Sequence, residues 1–177
     1  MNDDGAGVGQ PRGWGERRTR TVAWHDPAPT TQLGLSMPGI DYLRRIVDEQ
    51  LPPAPIAGLI QMRLVTADPG RVVFTCEPDE SSYNPIGAVH GGLACTLLDS
   101  AAGCALHSVL PAGKGYTSVE IKVSYLKAIR ASTGLLTATG TVVKTGSRVG
   151  FAEATLADSA GNLVATASST LLIFDLL

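Results

Sequence analysis

Cysteine and histidine are both scarce in this sequence, which contains three of each among its 177 residues. The cysteines, Cys76, Cys95 and Cys104, form no CxxC pair, and pairing any two of them would leave one over. The histidines show no HExxH spacing. We therefore expect no metal site, and we interpret the cysteines as reduced, buried thiols of a cytoplasmic protein.

Long apolar runs and an excess of positive charge are also missing. No stretch approaches the roughly 18 consecutive apolar residues of a membrane-spanning helix, and the first residues do not have the pattern of a secretory signal. The formal net charge of −2 provides no basic field that would attract nucleic acid. No GxSxG motif is present, which argues against a serine hydrolase with a nucleophile elbow. Neither a membrane nor a nucleic acid is therefore expected as a partner.

The remaining composition is typical of a globular protein, with 44% apolar and 17% charged residues. The length suits one domain with an appendage. Residues 1–20 are rich in glycine and arginine and are predicted to form a disordered arm. Residues 21–54 are predicted to form an extension with a strand-like piece at 21–24 and an amphipathic helix at 39–50. The main domain is assigned to residues 55–177.

Strands are predicted on both sides of one helix in the main domain. Their positions are 62–67, 71–77, a segment that follows residue 115 and reaches Tyr125, and then 135–144, 149–158 and 163–174. In the segment that reaches Tyr125, the apolar side chains predicted to face the core are Val119, Ile121, Val123 and Tyr125. The pattern predicts an α+β domain in which a curved antiparallel sheet wraps one helix.

The helix is predicted from Leu93 to about Val109, where no proline occurs and apolar residues recur at helical spacing. These apolar residues cover well over half of its circumference, so the helix is expected to be buried on nearly all sides. A narrow stripe carries the polar or small residues Thr96, Asp99, Ser100, Gly103 and His107. A buried carboxylate is costly without a partner, which makes Asp99 a candidate functional group. The alternative is a structural acid that accepts a hydrogen bond from Thr96 or a loop N–H.

A loop-to-helix junction is predicted at Gly91 and Gly92. Backbone N–H groups there have no carbonyl four residues earlier, so they favour negative charge. An N–H that stabilises an oxyanion and a carboxylate that attacks or activates water are what acyl transfer requires. Gly91 and Asp99 lie about 12 Å apart along one helix, too far to act on one carbonyl. We therefore hypothesise a symmetric dimer that pairs Gly91 of one subunit with Asp99 of the other.

These residues belong to a longer pattern, Asn84-Pro85-x-Gly87-x-x-His90-Gly91-Gly92 followed by Leu97-x-Asp99. The pattern resembles the signature of hotdog-fold acyl-CoA thioesterases of the phenylacetate-degradation (PaaI-type) group, over roughly residues 55–174. The resemblance implies a hotdog fold, homodimers that join their sheets edge to edge, and dimers that often pair into tetramers. It also implies an acyl-CoA substrate and no separate cofactor, because coenzyme A is part of that substrate.

The resemblance further implies roles for individual residues. Asp99 corresponds to the family's acidic nucleophile or general base, and the Gly91 N–H corresponds to its oxyanion donor. Asn84 corresponds to a loop residue that holds substrate or water, although Asn-Pro also initiates turns. His90 corresponds to the loop histidine, which could shape the loop, polarise the carbonyl or act as a base.

The residue that orients water is left open by the resemblance. Some relatives have a hydroxyl residue one turn after the acid, where this chain has Gly103, and others have a serine on the next strand, which Ser118 matches. The remaining residues assigned to substrate binding are Gly92, Thr96, Gly103, Lys144 and Arg148. The last two flank a tight turn and are candidates for the coenzyme A phosphates.

Two other functions use the same cleft. One is a noncatalytic acyl-CoA-binding sensor, against which the intact acid argues. The other is a hotdog dehydratase that acts on hydroxyacyl thioesters and pairs a histidine and an acid across the dimer. The spacing from Asn84 to Asp99 resembles the thioesterase group more closely than the dehydratases.

Overall fold

The computed structural model describes residue 13 and residues 15–175. The predicted arm at 1–20 therefore lies largely outside the described residues. The strand-like piece predicted at 21–24 is wrong, because residues 15–26 contain neither helix nor strand. No helix in the described part of the chain is long and apolar enough to cross a membrane.

In the part of the chain that the structure describes, six antiparallel strands form a single sheet. They are β1 (Met62–Asp68), β2 (Arg71–Cys76), β3 (Lys114–Tyr125), β4 (Leu136–Thr145), β5 (Val149–Ala157) and β6 (Leu163–Asp175). Their spatial order is β1-β2-β4-β5-β6-β3. Strands β4 to β6 form a meander, as the turn residues between them predict, whereas β3 crosses to the far side and pairs with β6. Strand β3 is therefore an edge strand of the sheet.

Within residues 15–175, four α-helices accompany this sheet. They are α1 (Ala28–Leu35), α2 (Gly39–Val47), α3 (Pro55–Ile60) and α4 (Gly91–His107). Helix α4 packs on the inner face of the sheet, and its side chains with no solvent exposure include Leu97, Leu98, Ala101, Ala102, Ala105 and Leu106. This arrangement confirms the predicted α+β class and the hotdog-type architecture. Val109 lies past the end of α4 and is exposed, so its predicted place on the buried face is wrong.

The extension contains one helix more than the sequence analysis predicts. Helix α2 ends at Val47 rather than near residue 50, because Glu49 adopts a left-handed backbone with φ of 58°. Helix α1 was not predicted, although Asp26 accepts a hydrogen bond from the Ala28 N–H at 2.9 Å, as a residue before a helix commonly does. Its weak amphipathic pattern explains the omission.

A β-bulge in β3 determines which of its side chains face α4. The register with β6 shifts between Ser118 and Glu120, and Val119 is the extra residue. Val119 is 65% exposed, so its predicted place on the core face is wrong. The bulge reverses the alternation of inward-facing and outward-facing side chains along β3. Ser118, before the bulge, and Ile121, after it, therefore both face the helix.

Candidate active site

Helix α4 begins at a loop whose shape is held by Asn84 and His90. The Asn84 Oδ1 accepts hydrogen bonds from the N–H groups of Ile86 and Ala88, both at 3.1 Å. The His90 N–H donates to the Ser82 carbonyl at 2.8 Å. Asn84 therefore acts as a turn residue, which was one of its two predicted roles. Its predicted contact with substrate or water stays a prediction.

His90 is the N-cap of α4. Its Nδ1 accepts a hydrogen bond from the Gly92 N–H at 2.8 Å, and its carbonyl accepts one from the Leu93 N–H at 3.0 Å. An Nδ1 that accepts must carry no proton, so the neutral ring has its proton on Nε2. This contact favours loop shaping over action as a base among the roles that the resemblance left open.

The cap leaves the Gly91 N–H at the helix terminus unused. Within residues 15–175, no hydrogen bond uses the Gly91 N–H, although its neighbours Gly92 and Leu93 are both paired. Gly91 lines a cavity of about 330 Å³ together with Asn84, Ala94 and Tyr125. We call this the Gly91 cavity. A free N–H at the positive end of a helix is suited to binding a developing negative charge.

Tyr125, at the end of β3, fixes the position of Gly91. Its hydroxyl donates to the Gly91 carbonyl oxygen at 3.0 Å. Its ring lies so close that a Cβ added at residue 91 would be 3.0 Å from Cζ of the ring. Any side chain at position 91 would therefore press on Tyr125, and glycine keeps the N–H accessible.

Asp99 lies two turns further along α4 and is half-buried. Its Oδ1 accepts a hydrogen bond from the Ser118 hydroxyl at 2.7 Å. This contact fixes the orientation of the carboxyl group. The structure thus brings together two predicted residues, Asp99 and Ser118, and excludes Thr96 as the partner of the acid, since Thr96 donates to the Gly92 carbonyl at 2.9 Å.

Gly103 lies one turn after Asp99, where some relatives have a hydroxyl residue. The ring of Tyr116 occupies this space, and a Cβ at residue 103 would be 2.6 Å from its Cε2 atom. Burial raises the pKa of Tyr116 well above 10.0, and burial raises the pKa of the neighbouring Cys104 thiol to about 11. Both groups are therefore neutral at neutral pH, and neither competes with Asp99 as a charged group.

Asp99 lines a second cavity, of about 320 Å³, which we call the Asp99 cavity. Its other walls are largely apolar and include Leu43, Ile46, Met62, Leu64 and Phe74. No residue of the described chain lines both the Asp99 cavity and the Gly91 cavity. Within one chain, Gly91 and Asp99 therefore line different spaces.

The other predicted binding residues lie elsewhere. Gly92 and Thr96 line a third cavity, together with His90 and Arg20. Lys144 and Arg148 are exposed near the β4–β5 turn, and within the described residues they line neither the Asp99 cavity nor the Gly91 cavity. Their assignment to the coenzyme A phosphates, like all the predicted roles in catalysis and binding, stays a prediction.

Three tyrosines around the site were not singled out by the sequence analysis. Tyr125 contacts Gly91, Tyr116 fills the space beside Gly103, and Tyr42 lines the Asp99 cavity. The period-two pattern of β3 placed Tyr125 on the inner face of the sheet, but nothing in the sequence indicated its partner. Contacts between elements 34 residues apart depend on the path of the chain.

Comparison with known proteins adds an independent line of support. The family model described as Thioesterase superfamily matches residues 86–165. Human acyl-coenzyme A thioesterase 13 is 31% identical over 111 residues, which are 62% of this chain and 78% of the human protein. A Halobacterium salinarum protein named as an esterase is 45% identical over 69 residues. That match spans 38% of this chain and 44%, less than half, of the Halobacterium protein.

Solved structures show the same fold. A phenylacetic acid degradation-related protein of Ralstonia eutropha superposes with a TM-score of 0.67 and 25% identity, over 74% of this chain and 98% of that one. A Streptococcus mutans protein bound to acetyl CoA superposes with a TM-score of 0.59 and 26% identity, over 64% of this chain and 89% of that one. The predicted likeness to PaaI-type proteins and the predicted class of enzyme, a thioester hydrolase, are confirmed: the chain belongs to the thioesterase superfamily.

Proposed function

We propose that this protein hydrolyses the thioester bond of an aryl- or fatty acyl-CoA, with Asp99 as the reacting carboxylate. Coenzyme A esters as substrates are supported by the names of the human relative and of the acetyl CoA-bound structure. The observation that carries the proposal is the Asp99 carboxylate, oriented by Ser118 and open to a largely apolar cavity.

Asp99 can act in either of two ways. In the first, a carboxylate oxygen attacks the thioester carbonyl, the C–S bond breaks, and its electron pair leaves with the coenzyme A thiolate. Water then cleaves the mixed anhydride and restores the carboxylate. In the second, Asp99 takes a proton from a water molecule that attacks the carbonyl directly, and that proton passes to the departing thiolate. Both routes give a free acid and coenzyme A.

The oxyanion formed on the carbonyl is bound by the Gly91 N–H of a neighbouring subunit. Two observations support this arrangement: the N–H has no acceptor within the described chain, and Gly91 lines a cavity separate from that of Asp99. A reacting carbonyl must lie about 3 Å from both groups. A homodimer in which two α4 helices run antiparallel meets this requirement and creates two equivalent sites.

The dimer forms through β3 in this proposal. This strand is an edge strand, so one row of its backbone groups is available for pairing with another chain. A pair of such dimers forms the tetramer, Lys144 and Arg148 bind the coenzyme A phosphates, and the protein acts in the cytoplasm.

The test is release of free coenzyme A thiol from a panel of aryl, short, medium and long acyl-CoA esters. Asp99→Asn keeps the shape of the side chain and removes its charge, so we expect kcat to fall by several orders of magnitude with little change in substrate affinity. Asp68→Asn, which alters an exposed carboxylate at the end of β1, serves as the control and should keep wild-type turnover.

Unchanged turnover in Asp99→Asn would exclude the proposed role. Thermal stabilisation by acyl-CoA without release of thiol from the wild type would instead indicate a binding module. Conversion of hydroxyacyl-CoA to enoyl-CoA would indicate a dehydratase.

A further inference from the structure

We propose that the extension before the main domain closes the acyl end of the Asp99 cavity, and that Tyr42 on α2 is the residue that limits the length of the acyl group. This inference rests on the proposed function. It concerns residues outside the segment matched by the family model, which begins at residue 86. The acyl group that we infer is uncharged and short enough to fit within this cavity.

The extension supplies one wall of the cavity through Tyr42, Leu43 and Ile46 of α2 and Ala54 of the following loop. Helix α3, at the start of the main domain, continues this wall with Ile56 and Ala57. Strands β1 and β2 supply a second wall through Met62, Leu64 and Phe74. Helix α4 supplies the third wall, on which Asp99 is the group that meets the thioester. The space that receives the acyl group is therefore enclosed jointly by the extension and the main domain.

Tyr42 is held firmly from two sides. On one side is α1, where a Cβ added at Gly34 would lie 3.2 Å from the Tyr42 ring, so glycine allows the helix to back the ring closely. On the other side is His107 of α4, whose ring meets that of Tyr42 edge to face with centroids 5.9 Å apart. A ring packed between two helices cannot swing aside easily to admit a longer chain.

The length available to the acyl group follows from the helix. Asp99 and His107 both line the cavity and are eight residues apart on α4, which corresponds to about 12 Å at 1.5 Å per residue. An acyl group attached to a carbonyl at Asp99 therefore has about one such length before it meets the contact between Tyr42 and His107.

The chemistry of the far end excludes a charged acyl group. His107 is largely buried, its Nδ1 has no hydrogen-bond partner in the described structure, and burial lowers its pKa, so the ring is neutral at neutral pH. Tyr116, on the other side of His107 at a centroid distance of 5.7 Å, is also neutral. No lysine or arginine of the described residues lines this cavity. A carboxylate at the end of an acyl chain would be buried here without a counter-ion, which is costly.

The experiment compares wild type, Tyr42→Ala and Tyr42→Phe on straight-chain acyl-CoA esters of increasing length. Tyr42→Ala removes the ring, and we expect the ratio of kcat/KM for long over short esters to rise at least about tenfold, the scale on which a few methylenes discriminate. Tyr42→Phe keeps the ring and should keep the wild-type ranking of chain lengths. Leu33→Ala, on α1 and outside the cavity, controls for general disturbance of the extension.

Binding provides a second readout that does not depend on turnover. Nonhydrolysable thioether analogues of the same acyl-CoA series are titrated into each variant, and the longer analogues should gain affinity in Tyr42→Ala. An ω-carboxylated analogue should bind wild type more weakly than its uncharged counterpart. If wild type binds the analogues but releases no thiol from any ester, the proposed function fails while the role of Tyr42 is still measured.

The proposal is overturned if folded Tyr42→Ala keeps the wild-type ranking in both assays. Should Tyr42→Ala not fold, Ala57→Leu tests the same wall from α3, because the added side chain fills the cavity. It should shift the ranking towards shorter chains, and an unchanged ranking would overturn the proposal equally.

Discussion

Ser118 and Asp99 form the most informative contact of the molecule at the scale of single residues. The serine lies on β3 and the acid on α4, 19 residues earlier, and their side chains meet at 2.7 Å. The position one turn after the acid, at Gly103, is closed by the ring of Tyr116. Ser118 is thus the hydroxyl residue that contacts the Asp99 carboxylate.

Replacing Ser118 by alanine removes this hydrogen bond and frees Asp99 to rotate. We expect kcat to fall by about tenfold to a hundredfold, with a smaller effect on KM, since positioned hydrogen-bonding groups contribute on this scale. Ser118→Thr keeps the hydroxyl and should recover most of the activity. The measurement is the steady-state kcat and KM of coenzyme A release by each variant and by wild type. Equal activity in Ser118→Ala and wild type would show that the contact has no part in the reaction.

The sequence identifies some of these residues and misses others for a physical reason. Asp99 is detectable because a single carboxylate stands out on an otherwise apolar helix, and Gly91 because glycines precede that helix. His90 is detectable as a site residue, but its role as an N-cap depends on a side-chain conformation. Tyr125 is a neighbour of Gly91 only because β3 curves along α4, and a pattern within one strand does not contain that information.

At the scale of elements, the turn between β5 and β6 is held by one carboxylate. Asp158 is only 7% exposed, and it accepts hydrogen bonds from the Lys127 ammonium at 2.9 Å and from the Asn162 N–H at 2.8 Å. These donors, chiefly Lys127 and then Asn162, lower the pKa of Asp158 from 3.8 to about 2. The turn therefore depends on the charged form of this side chain.

Asp158→Asn should lower the melting temperature at neutral pH by several degrees, because the amide replaces an acceptor of several hydrogen bonds with a group that is partly a donor. The pH dependence has a definite sign. A carboxylate whose pKa is lower in the folded state stabilises the fold above about pH 3.8, and this contribution is lost as the pH falls towards 2.

Denaturation at a series of pH values measures both effects. The stability difference between wild type and Asp158→Asn should be largest at neutral pH and should narrow between about pH 4 and pH 2. A difference that stays constant over this interval would show that the charge of Asp158 does not stabilise the turn.

Helices and strands with a strong periodic pattern of apolar residues were predicted well. Features that depart from such a pattern were missed. Helix α4 and strands β1, β2, β4, β5 and β6 lie within a few residues of their predicted positions. The bulge at Val119 was missed because an inserted residue leaves no mark in a strictly alternating pattern. Helix α1 was missed because it buries no residue and has little amphipathic character.

At the scale of the whole molecule, the proposed site draws on two copies of the chain. Gly91 and Asp99 line separate cavities, and strand β3, which contacts both residues, is at the edge of the sheet. This edge also exposes large apolar side chains, including Val119 at 65%, Tyr125 at 56% and Leu126 at 57%. In the proposed dimer, a second copy of the chain covers these side chains and completes the site.

A site shared between subunits can be tested with two inactive variants. Asp99→Asn removes the carboxylate, and Gly91→Pro removes the N–H. Proline is tolerated at the first position of a helix, and His90 already has the extended backbone required before proline, with φ of −61° and ψ of 134°. Gly91→Ala retains the N–H while adding a Cβ against Tyr125, so it isolates the effect of the donor from that of crowding.

The decisive measurement is coenzyme A release by a hybrid of the two variants, co-expressed with different affinity tags and purified through both. In a shared site, the hybrid contains one site built from the intact Asp99 of one subunit and the intact Gly91 of the other. We expect about half of the wild-type activity per hybrid dimer, although each parent is inactive. If the hybrid is no more active than its parents, the shared site is contradicted. Asp99 and Gly91 of the same chain would then act together.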